Sequence, residues 1–116
     1  VKLLVCGGRD FSDAKLLDRF MSYADNSDRG PITTIIHGGA AGADTMAGEW
    51  GKKHHIQVSV YRADWSRYGR SAGPRRNEQM LNEGKPDMVL AFPGGRGTAH
   101  MVTIAKKAGV RVVYAR

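Results

Sequence analysis

The sequence predicts one α/β domain spanning residues 1–116, built in three layers around a five-stranded, mainly parallel sheet. Three observations point to it. Five short β-rich runs recur along the chain, and most are continuous apolar stretches, the pattern of strands covered on both faces. Helical patterns separate them, and alternating strand and helix favours parallel strands joined by crossovers. The glycines cluster where a strand gives way to a helix.

The elements follow in order. KLLVC (2–6) reads as the first strand. Ser12 can cap a helix running to about Ala24, with Leu16, Leu17, Phe20, Met21 and Ala24 on one face. ITTIIH (32–37) is the second strand, followed by a helix from Ala43 to His54 with Met46, Ala47 and Trp50 as its inner stripe. IQVSVY (56–61) is the third strand, and ADWSRYGRSAG (63–73) is the longest irregular stretch. Pro74 suits the first turn of a third helix, which carries Met80 and Leu81 and ends near Gly84. DMVLAF (87–92) is the fourth strand. A helix from Thr98 to Ala108, closed by Gly109, precedes the last strand, VRVVYA (110–115). The expected strand order is 3-2-1-4-5.

Composition narrows the function. At 41% hydrophobic residues the chain can build a core, and with one cysteine, Cys6, it has no disulfide framework within the chain. No window reaches the length of a membrane span, and no signal-peptide pattern is present, so a cytoplasmic setting without a membrane partner is expected. Lys and Arg number 18 against 11 Asp and Glu, a formal net charge of +7, which implies an anionic partner such as nucleic acid or a phosphorylated small molecule.

Gly7 and Gly8 follow the first strand, Gly38, Gly39 and Gly42 the second, and Gly94, Gly95 and Gly97 the fourth. In an open parallel sheet these junctions share the edge where ligands bind. Glycine lets the backbone approach a ligand, and helix N-termini offer free N–H groups to an anion. The expectation is a phosphate cradle, although tight turns alone also use glycine. None of the clusters is a Walker loop or the usual dinucleotide fingerprint.

Arg9 and Arg96 lie within two of these turns, and Arg75 and Arg76 follow Pro74. Cations in a first helical turn oppose the helix dipole by roughly 0.3–1 kcal/mol each, so two together suggest an anion nearby. A forked guanidinium matches phosphate well. Trp65 and Tyr68 can stack on a base, close over a ligand, or pack the loop onto the domain. Asp44 can hold a ribose hydroxyl or serve as an ordinary first-turn acid. Asn77 and Thr98 are polar ligand contacts, or Thr98 caps its helix. Cys6 and His37 lack an orienting third group and read as buried residues rather than a nucleophile pair. No His, Cys and Asp cluster has metal-ligand spacing, so no metal is expected.

The set GGRDF (7–11), HGGAAGAD (37–44), DWSRYGRSAGPRRNEQM (64–80) and FPGGRGTAHM (92–101) resembles the YspA/YpsA-related branch of the SLOG superfamily, over nearly the whole chain. That superfamily joins the DNA-processing protein A family to the Lonely Guy phosphoribohydrolases. The resemblance implies a Rossmann-like fold, a nucleotide-related ligand at the glycine edge, and a bacterial or phage-infected host cell as the setting. Lonely Guy relatives pair through helices beside the site, which implies a homodimer or higher homo-oligomer.

The Lonely Guy motif reads Pro-Gly-Gly-x-Gly-Thr-x-x-Glu, with an upstream Arg four residues before a Met. Pro93, Gly94, Gly95, Gly97 and Thr98 match it, and Arg76 with Met80 matches the upstream pair. By that resemblance Arg76 takes the ligand-binding or catalytic place. The final Glu is Met101 here. Glycosidic cleavage passes through an oxocarbenium-like state that a carboxylate stabilises, and methionine supplies none. Asp10, Asp44 or Asp64 would have to substitute from another loop.

Three functions compete. The first is a binding module, sensor or sink, for a nucleotide-derived ligand: ADP-ribose, an NAD relative, a nucleoside monophosphate or a cyclic signalling nucleotide. It needs no cofactor, and Mg²⁺ can enter with the phosphates. The second is a phosphoribohydrolase-like N-glycosidase of nucleoside monophosphates. The third is single-stranded DNA binding, which requires basic side chains spread along a groove.

Overall fold

The structure is a computed structural model describing every residue from Val1 to Arg116. Its strands are β1 (Lys2–Cys6), β2 (Thr34–His37), β3 (Gln57–Val60), β4 (Met88–Ala91) and β5 (Arg111–Tyr114). Its helices are α1 (Ala14–Asp25), α2 (Ala43–Lys53), a one-turn α3 (Trp65–Tyr68), α4 (Ala72–Gly84) and α5 (Arg96–Lys107). The sheet order is β3-β2-β1-β4-β5, and every pairing is parallel.

The period-2 alternation of the central strands builds the three layers. Leu3 and Val5 of β1 join Ile35, Met88 and Leu90 in one buried cluster, closed by Leu17 and Met21 of α1 and by Ala47 and Trp50 of α2. Leu4 and Cys6 face the other way and join Ile36, Val89, Met80 of α4, and Met101 and Ala105 of α5. Each fully buried Leu, Ile or Val contributes about 1.5–3 kcal/mol relative to exposure. Both faces of β1 and β4 are therefore covered, whereas the outer strands β3 and β5 remain partly exposed.

Several helix ends differ from expectation. Asp13, not Ser12, caps α1: its side chain accepts the Leu16 N–H at 3.0 Å. The expected loop 63–73 contains α3 and a 3-10 turn, Gly69–Ser71. α4 begins at Ala72, because Ala72 and Gly73 are buried and Gly73 lies against the Trp65 ring. Pro74 is thus its third residue, and Arg75 and Arg76 fall in the second turn, where the dipole acts on them more weakly. α5 starts at Arg96 with Gly95 as N-cap, so Thr98 is its third residue and not the cap. Gly84 is the last residue of α4. An added Cβ there would meet Ile36 Cδ1 at 3.0 Å, and the left-handed turn passes to Lys85 at φ 48°.

Candidate ligand-binding site

The strand order reverses direction between β1 and β4. α1 and α2 cover one face of the sheet, and α4 and α5 the other. The loops leaving these two strands consequently diverge and leave a crevice at their C-terminal ends. A cavity of about 580 Å³ occupies it, a size typical of small-molecule sites.

The floor is made by glycines that leave no room for side chains. A Cβ on Gly7 would meet Ala43 Cβ at 2.5 Å and Phe92 Cβ at 2.9 Å, and one on Gly94 would meet Thr98 Oγ1 and the Gly8 nitrogen. The close approach lets Gly8 N–H donate to the Pro93 carbonyl at 2.8 Å, joining the β1–α1 and β4–α5 loops. Gly42, at φ 78°, presses against the backbone of Gly8 and Arg9 and brings in the β2–α2 loop. At the far wall α5 begins without a side-chain cap, and no protein acceptor meets the N–H groups of Arg96, Gly97 and Thr98. Those N–H groups carry the positive end of the helix dipole.

Four arginines line the cavity, Arg9, Arg70, Arg76 and Arg96, against one carboxylate, Asp44. Arg76 is the most constrained. Nη1 donates to the Gly38 carbonyl at 2.6 Å and Nε to Asn77 Oδ1 at 3.1 Å. The guanidinium fits because Gly38 has no side chain, since a Cβ there would lie 2.7 Å from Arg76 Cζ. Burial lowers the Arg76 pKa below its ordinary value; Asp44 opposes this shift, and Arg9 adds to it.

Asp44 is buried, and Oδ2 accepts the N–H groups of Gly38 at 3.0 Å and Ala40 at 3.3 Å. Burial pushes its carboxyl pKa up, while the Ala40 N–H, the Arg76 charge and the Gly38 N–H hold it down. It braces the β2–α2 loop while facing the cavity. Asn77, also buried, donates to the Gly97 carbonyl at 3.2 Å and pairs with His100 Nδ1 at 3.1 Å, tying α4 to the start of α5.

The structure thus brings Gly7, Gly8, Arg9, Asp44, Arg76, Asn77, Gly95, Arg96, Gly97 and Thr98 to one cavity, with half-exposed Trp65 at its rim. Gly38 and Gly39 line an adjoining hollow, whereas Gly42 and Gly94 act through backbone packing. Arg75 and Tyr68 lie outside the main cavity, with the Arg75 guanidinium 4.4 Å from the Tyr68 ring centroid. Met101 has no exposure and sits in the core beneath α5, so the position where the resemblance puts a glutamate does not line the cavity. Asp10 and Asp64 do not line it either, and Asp64 caps α3.

Arg70, His100 and Cys6 are lining residues that the sequence reading did not select. His100 lies four residues after Arg96 on one helix face, a relation that appears only because α5 starts at Arg96 rather than at Thr98. Arg70 belongs to a dense arginine series in residues 62–76. Cys6 forms part of the floor, and burial first, then Asp44, push its thiol up to about 12. His37 is buried, with Nδ1 accepting the Gly39 N–H at 3.0 Å. Neither residue is poised as a nucleophile or base. No three His, Cys, Asp or Glu side chains cluster closely enough to hold a metal ion, and no helix is long and apolar enough to cross a membrane.

A model of the YspA, cpYpsA-related SLOG family (YAcAr) matches residues 1–68. The match takes in the first two glycine turns and α3, and stops before Arg76 and the β4–α5 loop. The chain is also similar to the Gene 61 protein of Mycobacterium phage D29. The two are 36% identical over 120 residues, covering 97% of this chain and 94% of that protein.

Proposed function

Because this chain belongs to the YspA, cpYpsA-related SLOG family, we propose that its cavity binds a nucleotide-derived, phosphorylated ligand such as a nucleoside monophosphate or ADP-ribose, in the manner of a sensor or sink. One observation carries the reading. Four guanidinium groups and the open N-terminus of α5 converge on a single cavity that holds one carboxylate. Such an arrangement is unfavourable when empty and favourable around phosphate.

The parts divide by chemistry. The free N–H groups of Arg96, Gly97 and Thr98 take phosphate oxygens, and Arg76 and Arg9 neutralise them. The Trp65 ring offers a stacking face for a base, with the Arg9 guanidinium 5.9 Å from its centroid. Asp44 Oδ1 takes no hydrogen bond from the protein, which leaves it to accept one from a ribose hydroxyl. No resident cofactor is needed, and Mg²⁺ would enter with the ligand's phosphates.

N-glycosidic hydrolysis is the second reading, and it rests on Asp44 alone, because that carboxylate is the one facing the cavity. A panel separates the two. The protein is incubated with AMP, ADP-ribose, NAD, cyclic ADP-ribose and single-stranded DNA, and melting shift and products are read on the same samples. A ligand at a hundred times its Kd adds about 2.7 kcal/mol of stability. A shift with a small nucleotide that survives intact, lost in Arg76→Ala, supports binding without turnover. Free base and ribose phosphate would support hydrolysis. No shift with any nucleotide would refute both.

A further inference from the structure

The main cavity does not end at Arg76. Two smaller hollows of about 310 and 300 Å³ continue from it across the surface. Arg76 walls all three, and Arg62 walls both outer ones. The series ends at Arg75 and Tyr68. Along it guanidinium groups and exposed rings alternate. Arg9 lies by Trp65 at the inner end, and at the outer end the exposed Tyr68 ring has Arg75 at 4.4 Å and Arg67 at 5.1 Å from its centroid.

These outer cations lack acidic partners. Arg62 hydrogen-bonds to the Gly39 carbonyl at 3.3 Å and Arg75 to the Ser71 hydroxyl at 3.1 Å, both uncharged oxygens. Asp64 also lines the outermost hollow, but its Oδ1 accepts the Ser66 hydroxyl and the Arg67 N–H and it pairs with neither arginine. A single nucleotide in the main cavity would leave Arg62, Arg75 and Arg76 lining a hollow whose one carboxylate is Asp64, a net positive charge with no anion to meet it.

Resting on the reading that the cavity takes a nucleotide, we infer that the ligand is a chain of at least two phosphodiester-linked nucleotides. The first sits in the cavity, the linking phosphate crosses toward Arg62 and Arg75, and the second base stacks on Tyr68. Alternating cations and aromatic faces suit such a chain, because every base has a stacking face and every linkage a charge. The chain can be a free dinucleotide or the end of a single strand.

Calorimetry with AMP, pApA and a 5′-phosphorylated oligoadenylate tests this. pApA should bind wild type at least about tenfold more tightly than AMP. Arg62→Ala and Arg75→Ala, both at exposed positions, should each shrink that ratio, and the double variant should bring it near one while AMP binding stays as in wild type. The steeper salt dependence of pApA should fall with it. An oligomer no tighter than pApA would identify a dinucleotide ligand, and a tighter one a strand end. AMP binding with no gain for pApA, or a gain the variants retain, overturns this inference alone. Binding of none of the probes, and of neither ADP-ribose nor NAD, overturns the nucleotide reading as well.

Discussion

Replacing Gly38 with alanine should displace Arg76 without altering it. The new Cβ would lie 2.7 Å from Cζ and 3.0 Å from Nε of Arg76, too close for either to stay. The backbone tolerates the change, because Gly38 is not among the residues with positive φ. The guanidinium is the far end of a flexible side chain, so it can swing out. Folding then loses the charged hydrogen bond to the Gly38 carbonyl, about 1.5–3 kcal/mol, and regains about 0.4–1 kcal/mol from the stiffer unfolded chain. The net cost is about 0.5–2.5 kcal/mol, or a melting shift of about 2–10 °C. The loss in binding should be larger. A charged contact to phosphate is worth about 1.5–3 kcal/mol, so AMP affinity should fall about 10- to 150-fold. Arg76→Ala should lose at least as much, and the double variant no more than Arg76→Ala alone, since both act through one group. Calorimetry with AMP and thermal melts on the same samples read both quantities. If Gly38→Ala binds AMP like wild type, or if the two losses add, Arg76 is not the group that holds the phosphate.

Other perturbations probe the neighbourhood. Burial, and then the charges of Arg62, Lys52 and Arg76, keep the pKa of His37 below its ordinary 6.5. The unfolded histidine binds a proton first, so the His37 contribution is complete above about pH 6.5 and is lost as pH falls through the lower folded midpoint. Denaturant titrations from about pH 7.5 to 5 should register the loss, and His37→Gln should flatten it. Cys6, with its thiol pushed up to about 12 and buried, should resist a disulfide reagent at about pH 8 and react on unfolding; rapid labelling of the folded protein would contradict its place in the floor. Met101→Glu would bury a carboxylate in the α5 core and cost several kcal/mol, roughly 3 or more, at neutral pH. Its raised folded pKa should ease the penalty as pH falls, which melts at two pH values can check. Glycosidase activity gained by that variant would show that position 101 reaches the ligand.

The fold was readable because its signals are local. Continuous apolar strands such as MVLA, and one-face stripes such as Leu17, Met21 and Ala24, are written in adjacent residues. The alternation of elements then leaves few topologies. Helix starts were less legible. Competition between Ser12 and Asp13 depends on which oxygen reaches the Leu16 N–H, and the early start of α4 depends on Trp65 covering Gly73. At the candidate site, the glycines and arginines lie at the C-terminal edge of the sheet, but what each of them does there depends on partners distant in sequence. Arg76 needs the missing Cβ of Gly38, and Asn77 is drawn into joining two helices. Arg62, Arg75 and Tyr68 come to line one hollow only when the segment after β3 folds across the start of α4.

The stretch from Trp65 to Ser71 contributes no buried residue, yet it delivers Trp65 and Arg70 to the cavity. Neither core cluster draws on it. Trp65 aside, whose ring covers Gly73, surface substitutions of this kind usually change stability by no more than about 0.5 kcal/mol. The glycine floor is the opposite case, since a single methyl group at Gly7 or Gly94 collides with backbone or core. The molecule therefore separates what evolution can alter cheaply from what it cannot. Among related chains, preference for one base or ligand length should drift through this arch, while the phosphate-facing floor stays fixed.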